Sequence, residues 1–305
     1  MEYMTIGKQL AGASRLALGC MRMASLSVEQ AAQVLQTTAE VGINFYDHAD
    51  IYGAGESESR FAQALKQVGI ARDQVLLQSK CGIRKGFFDF SKEHIIDSVE
   101  KSLSRLETDY LDVLLLHRPD TLMEPEEVAA AFNHLHQAGK VRYFGVSNHH
   151  PLQVELLKQA VQQPLIINQL EFGPAHTPMI DAGLNVNMRN DAGIVRDSNV
   201  LEYSRLQQMT IQPWSPFQVD LTQGLFMNHP DYQALTQCIQ QLADQYEVSF
   251  EAMVMVWILR HPAQMQPIVG SMNSERIQAM AQATAVQLTR QEWYAIYLSA
   301  GNQLP

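Results

Sequence analysis

The alternation of short apolar runs with longer helical patterns constrains the fold of this chain more than any other feature. Apolar runs recur along the 305 residues, and a segment with helical spacing separates most of them from the next. Strands that alternate with helices of this length are typical of parallel βαβ units, because a parallel strand pair needs a long crossover connection. The sequence therefore predicts an α/β protein with a parallel sheet.

We interpret eight of the apolar runs as strands. They are LALG (16–19), INFYD (43–47), QVLLQSK (74–80), YLDVLLLH (110–117), VRYFGVSN (141–148), LIINQLEF (165–172), TIQPW (210–214) and QPIVG (266–270). Ser27 and Ser91 stand where helix N-caps are expected, and Gly42 and Gly139 stand at helix ends.

Eight βα units that close on themselves form a (β/α)8 TIM barrel. An open doubly wound sheet is the alternative, but it usually carries G-x-G-x-x-G after its first strand, where this chain has GCMRMASLS. We expect one barrel domain over residues 1–305, with a short N-terminal hairpin and long loops at the C-terminal face. Segment 173–196 interrupts the alternation and is predicted to be a long loop near substrate or cofactor.

Composition excludes several classes of function. The formal net charge is −10 and no block of lysine or arginine occurs, which argues against nucleic-acid binding. Cys20, Cys81 and Cys238 have the spacing of neither a zinc site nor a disulfide framework, so we expect no metal and a cytoplasmic location. The N-terminus does not resemble a signal peptide. The apolar stretch 252–259 is too short to span a membrane and is predicted to be a buried helix.

Polar residues follow the predicted strands at the barrel end where active sites form. They are Asp47, Tyr52, Lys80, His117, Ser147, Asn148, Gln169, Glu171, Trp214, Ser215, Gly270 and Ser271. A phenol can protonate a carbonyl oxygen, and a nearby ammonium lowers the phenol pKa. We therefore expect Tyr52 to act as an acid beside Lys80, with Asp47 stabilising the lysine charge. His117 is placed to orient the same carbonyl.

Each of these side chains also has a plainer interpretation. Asp47 alone would be a loop-capping acid, Tyr52 a packed ring and His117 a buried, hydrogen-bonded imidazole. The remaining polar residues near them are interpreted as solvated loop groups, and they are His48, Asp50, His149 and His150. Cys81 follows Lys80, but strand neighbours point to opposite faces, so we expect it to be inert.

The segment PIVGSMNSERI, at 267–277, has the features of a phosphate site. It leads from the last predicted strand into a helix whose first N–H groups can hold an anion. Gly270 allows close approach, Ser271 and Asn273 can form hydrogen bonds, and Arg276 supplies a guanidinium. An ordinary capped helix with a solvent-facing arginine is the alternative. Trp214 can stack on a flat ring, or it is simply an aromatic residue on the rim.

Taken in order, these motifs resemble the aldo-keto reductase family over essentially the whole chain. Segment 42–53, GINFYDHADIYG, is similar to the family signature Asp-x-Ala-x-x-Tyr-Gly. LLQSKCG carries the family lysine at Lys80, and YLDVLLLHRPD carries the family histidine at His117. The motifs IINQLEF, PWSPF and PIVGSMNSERI fit the remaining segments that bind cofactor.

The resemblance implies an NADP(H)-dependent reduction of a small-molecule carbonyl compound. Tyr52 would protonate the carbonyl oxygen with the help of Lys80 and Asp47, and His117 would orient the substrate. The implied cofactor-binding residues are Gly19, Cys20, Met21, Ser147, Asn148, Gln169, Trp214, Ser215, Phe217, Gly270, Ser271, Asn273 and Arg276.

Several questions stay open at the level of sequence. Gly270 replaces a basic residue found in some members, and Ala279 and Met280 replace a polar pair. A cofactor-binding sensor or regulatory subunit on the same fold is an alternative to the enzyme. We expect a monomer or a weak homo-oligomer, and Arg189 and Arg196 are more readily interpreted as solvated than as ligands of an acidic substrate.

Overall fold

A computed structural model of the protein describes residues 1–220 and 222–305. Its centre is an eight-stranded parallel sheet that curls almost into a closed barrel. The strands, β1 to β8, are Ala17–Gly19, Phe45–Asp47, Leu76–Cys81, Leu111–Leu116, Val141–Ser147, Leu165–Glu171, Thr210–Trp214 and Ile268–Val269.

The strand order establishes the barrel. Each strand from β1 to β6 pairs with the next one in the chain, and β8 pairs with β1. The remaining gap, between β7 and β8, is bridged where the backbone N–H of Gln266 donates to the carbonyl of Ile211 over 3.0 Å. A doubly wound sheet would instead reverse its order at a switch point. The predicted (β/α)8 fold is confirmed and the open-sheet alternative is excluded.

Helices cover the outside of the sheet. Within residues 1–220 and 222–305 they are α1 to α11: Val28–Glu40, Glu56–Val68, Lys92–Arg105, Pro125–Gln137, Pro151–Leu157, Pro178–Leu184, Val200–Gln207, Gln233–Gln245, Phe250–Leu259, Ser274–Ala281 and Arg290–Ser299. The predicted N-caps are confirmed, because Ser27 accepts a hydrogen bond from the N–H of Gln30 and Ser91 accepts one from His94. Every side chain from Ala252 to Ile258 is buried, as expected for stretch 252–259.

The predicted N-terminal hairpin is present and closes the bottom of the barrel. Its strands, Tyr3–Ile6 and Leu10–Ser14, pair antiparallel. Ile6 and Leu10 belong to an apolar cluster with inward residues of the barrel strands, including Val113 and Ile167. The C-terminal ends of the strands are thus the open mouth.

Segment 173–196 differs from the predicted loop, because it contains α6 and a short 3-10 turn at Asp191–Gly193. Helix α6 is anchored to α11, since the hydroxyl of Tyr297 donates to Asp181 over 2.9 Å. The helix predicted after the last strand is α10, which ends at Ala281, and α11 follows as a separate element. Across the described residues, no helix combines the length and apolar character needed to cross a membrane.

Candidate active site

The centre of the mouth holds a buried ion pair between neighbouring strands. Lys80, on β3, places its Nζ 2.8 Å from Oδ1 of Asp47, at the end of β2. The same ammonium donates to the carbonyl of His48 over 2.7 Å. Both side chains are almost fully buried. Asp47 pairs in register with Gln78, and Lys80 shares the inward face with Gln78 because side chains two apart on a strand point the same way.

Tyr52 completes a chain of contacts that begins at this ion pair. Its hydroxyl lies 3.0 Å from the Nζ of Lys80. The tyrosine begins a tight turn in which Gly53 and Ala54 both have left-handed backbone conformations. A Cβ on Gly53 would lie 2.6 Å from the Cβ of Ala24, so a larger residue would displace the turn. Gly53 therefore helps to fix where Tyr52 sits.

Burial and charge set the protonation states of these groups. Burial alone lowers the pKa of Lys80, but the Asp47 charge and the hydrogen bonds offset it, and the net pKa is raised. Burial raises the pKa of Tyr52, Lys80 lowers it, and the net result is a raised pKa. The expected lowering of the Tyr52 pKa was therefore wrong in net direction, because burial outweighs the ammonium. Tyr52 consequently holds its proton at neutral pH, the form that a general acid requires.

His117 stands directly after β4 and faces Tyr52. The two ring centres are 6.1 Å apart and the rings are nearly perpendicular, at 83°. Burial, followed by the charges of Lys80 and Arg118, lowers the pKa of His117 to about 2. The imidazole is therefore neutral at physiological pH. It can direct a hydrogen bond at a carbonyl oxygen, but Tyr52 is the better source of a proton.

The ends of β5, β6 and β7 bring four predicted cofactor residues together. Asn148 donates to Ser147 Oγ over 2.8 Å and accepts from the indole N–H of Trp214 over 3.1 Å. Ser147 Oγ donates to the backbone carbonyl of Gln169 over 3.0 Å. Asn148 and Ser215 have left-handed backbone conformations, with φ of 61° and 50°. Such conformations in residues other than glycine are uncommon and cluster at functional sites.

The predicted phosphate segment forms a capped helix start after β8. Asn273 Oδ1 accepts from the N–H of Arg276 over 3.0 Å, and Ser271 Oγ accepts from the N–H of Asn273 over 3.2 Å. The Arg276 side chain is 65% exposed, and its Nε lies 3.6 Å from Glu251. The capped-helix interpretation is thus correct for Asn273, while the guanidinium of Arg276 stays accessible to an anion.

Arg22 is a basic residue that lies close to the predicted phosphate segment. It follows β1, and its Nη1 donates to the carbonyl of Gly270 over 2.9 Å. Strands β1 and β8 are neighbours, which brings the two residues together. Arg22 thus places a guanidinium beside Gly270, in the predicted phosphate segment. The pairing of the first and last strands is the signal that could have identified it.

The remaining predicted cofactor residues lie around the mouth with different exposure. Met21 is 52% exposed. Cys20 is fully buried, backbone included, so the structure does not place it on the surface of the mouth. A Cβ on Gly19 would lie 2.7 Å from a methyl of Ile268, which explains why the β1 end tolerates no side chain there. Phe217 is partly buried against the core.

Two of the residues interpreted as solvated are buried instead, so that interpretation was wrong for them. His48 is fully buried and meets Phe61 edge-on, with ring centres 4.7 Å apart. His149 is 2% exposed and stacks on Phe90. Burial, followed by the Lys80 charge, lowers the pKa of His48 to about 3. Their partners come from distant segments, which local sequence does not reveal.

Arg196 and Cys81 behave as the sequence suggested. Arg196 donates to carbonyls within its own loop and is exposed. Cys81 is buried, which raises its thiol pKa well above the ordinary value. The described residues contain no cluster of three or more potential metal ligands.

Comparison with known proteins adds a family match. The model of the aldo/keto reductase family matches residues 15–297. Oxidoreductase YdhF of Escherichia coli (strain K12) is 36% identical and covers 98% of both chains. A 6-dehydroglucose reductase of Agrobacterium fabrum (strain C58 / ATCC 33970) is 32% identical and covers 94% of each.

A solved structure supports the fold. The crystal structure of a thermostable aldo-keto reductase in complex with the inhibitor epalrestat superposes with a TM-score of 0.79, covering 98% of this chain and 100% of that one. Its 21% sequence identity limits the inference to architecture.

Proposed function

The chain belongs to the aldo/keto reductase family, and from this premise we propose that it reduces an aldehyde or ketone to an alcohol with NADPH. The observation that carries the proposal is the contact series Asp47–Lys80–Tyr52, which ends in a protonated phenol at the barrel mouth. Membership of the family supports oxidoreductase chemistry. The roles of individual residues and the choice of cofactor are our inference.

We assign the proton-transfer step of the reaction to Tyr52. As negative charge develops on the substrate oxygen, the phenol donates its proton to that oxygen. The fixed ammonium of Lys80, 3.0 Å away, stabilises the phenolate that remains. Asp47 keeps Lys80 charged despite its burial. His117, neutral at working pH, hydrogen-bonds the same oxygen and orients the carbonyl.

The residues at the other strand ends fit a nicotinamide cofactor. Trp214 offers a half-exposed ring, and Ser147 and Asn148 offer hydroxyl and amide groups beside it. NADPH, when bound, supplies the hydride that adds to the carbonyl carbon. Arg276 and Arg22 are the guanidinium groups that would hold phosphate, and Arg276 is our candidate for selecting NADP(H) over NAD(H).

The rim beside Trp214 favours a polar carbonyl substrate. The Arg118 guanidinium lies 5.5 Å from the centre of the Trp214 ring. A guanidinium donor at this place on the rim suits the oxygen atoms of a hydroxylated aldehyde. A relative named as a 6-dehydroglucose reductase supports this choice.

A panel of aldehydes and ketones tests the proposed function, with loss of NADPH absorbance as the readout. Matched pairs of equal chain length, one hydroxylated and one alkyl, test substrate polarity. We expect turnover with NADPH and a higher kcat/KM for the hydroxylated member of each pair. Binding of NADPH that quenches tryptophan fluorescence, without turnover of any carbonyl, would instead indicate a sensor or regulatory protein. Absence of both binding and turnover would contradict the proposal.

A further inference from the structure

Four glutamines cross the inside of the barrel below the catalytic centre. They are Gln78 on β3, Gln169 on β6, Gln212 on β7 and Gln266 just before β8. Each is buried, with at most 3% of its surface exposed. Barrel interiors are usually filled with branched apolar side chains. A set of buried amides is therefore unusual and needs hydrogen-bond partners.

The amides form a continuous set of hydrogen bonds, which we call the glutamine chain. Gln266 donates to the carbonyl of Ser14 over 2.7 Å, and Gln212 donates to Gln266 over 2.8 Å. Gln78 and Gln169 both donate to Gln212, over 2.9 and 3.1 Å. The same two amides donate to Oδ1 of Asp47, over 2.5 and 3.0 Å.

The two ends of the glutamine chain fix its direction. The Ser14 carbonyl and the Asp47 carboxylate are both acceptors only, so the terminal amides must present N–H groups to them. The intervening amides then have one consistent orientation, with the N–H groups of Gln78 and Gln169 pointing at Asp47. The four N–H groups of Gln78 and Gln169 thus point at two acceptors, Asp47 and Gln212.

Gln78 shows that the glutamine chain does more than fill the core. Both of its N–H groups are engaged, but its Oε1 is buried without a hydrogen-bond partner among the described residues. An unpartnered buried carbonyl lowers stability, and an apolar side chain of similar size would avoid that cost. The N–H donors of Gln78 therefore explain its presence in the core, and one of them points at Asp47.

We propose that the glutamine chain positions Asp47, with Gln78 as the principal positioning residue. One of its N–H groups holds Oδ1 of Asp47 from below, so the carboxylate stays directed at the Lys80 ammonium. Lys80 in turn stays charged and within reach of Tyr52. The idea rests on the proposed function, because it assigns Gln78 a role in supporting the acid of that reaction.

Gln78→Met tests the proposal, because it removes the donors while nearly conserving volume. We expect kcat to fall at least tenfold. The alkaline limb of the kcat profile should also move about one pH unit lower, because a less firmly held Asp47 stabilises the Lys80 charge less well. NADPH affinity, measured by the quenching of tryptophan fluorescence, should stay within twofold of the wild-type value. Gln212→Met, which removes one shared acceptor, should give a smaller shift in the same direction.

Gln266→Met is the matched control, since three hydrogen bonds in series separate Gln266 from Asp47. It should change kcat less than threefold and leave the pH profile in place. A Gln78→Met protein with the wild-type pH profile and kcat would overturn the proposal, and so would equal losses in all three variants. If Gln78→Met does not fold, Gln212→Met decides by the same two measurements. A wild-type protein without turnover would instead reject the proposed function itself.

Discussion

The two halves of the barrel mouth are built in opposite ways. The catalytic half, at the ends of β2, β3 and β4, holds Asp47 and Lys80 almost fully buried and in direct contact. The rim half, around β8 and α10, presents Arg276 with a side chain that is 65% exposed. In this half, Arg22 donates to a backbone carbonyl, and Arg276 lies 3.6 Å from the carboxylate of Glu251.

The difference follows from what each half has to do. Charges in a buried site interact strongly because water does not screen them, so a fixed pair can tune an acid. Exposed guanidinium groups interact weakly with neighbouring protein groups and remain free to meet phosphate. Substitutions should therefore have large, coupled effects in the catalytic half and small, separable effects in the rim half.

The largest effect is expected when the buried pair is broken. Lys80→Met leaves the Asp47 carboxylate buried without its cation, which should lower the free energy of unfolding by about 3–5 kcal/mol. We expect kcat to fall by about 10²-fold or more, because Tyr52 loses its electrostatic support. Urea unfolding and NADPH oxidation measure the two effects.

A double variant separates stability from catalysis. Asp47→Asn combined with Lys80→Met removes both charges, so stability should recover in part while kcat stays low. A single Lys80→Met variant with wild-type stability and turnover would show that the two halves do not differ as described.

Part of the acid sensitivity should originate in the catalytic half. The folded pKa of His48, about 3, lies below its ordinary value of 6.5. The unfolded chain therefore takes up the proton first, and stability is present above about pH 6.5 and is lost as the pH falls toward 3. From pH 8 to pH 5, His48 alone should lower the free energy of unfolding by about 2 kcal/mol.

In His48→Phe, the fall in the free energy of unfolding from pH 8 to pH 5 should be smaller by about 2 kcal/mol, as measured by urea unfolding at several pH values. His134→Gln, at an exposed position of α4, is the control and should keep the wild-type decline. Identical pH dependence in His48→Phe and wild type would mean that the buried imidazole does not contribute.

The smallest effect is expected at the rim. Arg276→Ala should weaken NADPH binding about tenfold, which corresponds to about 1.4 kcal/mol. NADH binding should change less than twofold, because NADH lacks the 2′-phosphate. Fluorescence titration with both cofactors measures the ratio, and Arg290→Ala at the start of α11 serves as the control. Equal weakening of both cofactors would contradict the assigned role.

Sequence patterns predicted the barrel well because each strand and helix carries its own signal. The strand TIQPW coincides with β7, and Ser27 and Ser91 cap their helices as expected. Helix α6 escaped prediction because it is short, contains Gly183, and is stabilised by Tyr297 from the far end of the chain. Local sequence cannot report such a distant contact.

The residues of the candidate site also divide into those that the sequence predicted and those that it did not. Asp47, Tyr52, Lys80 and His117 follow predictable strand ends, and the structure brings them together. The glutamine chain was missed because each glutamine looks ordinary within its own strand. Only barrel closure brings Gln78 of β3 against Gln212 of β7. The net direction of the Tyr52 pKa was missed because burial is a property of the whole fold.

The central claim is that Tyr52 is the acid of a carbonyl reduction, and Tyr52→Phe tests it most directly. Turnover with the best carbonyl substrate and NADPH affinity should be measured on the same preparation. We predict that kcat falls about 10³-fold or more while the Kd for NADPH stays within twofold of wild type. A Tyr52→Phe protein that keeps more than a tenth of wild-type kcat would contradict the account.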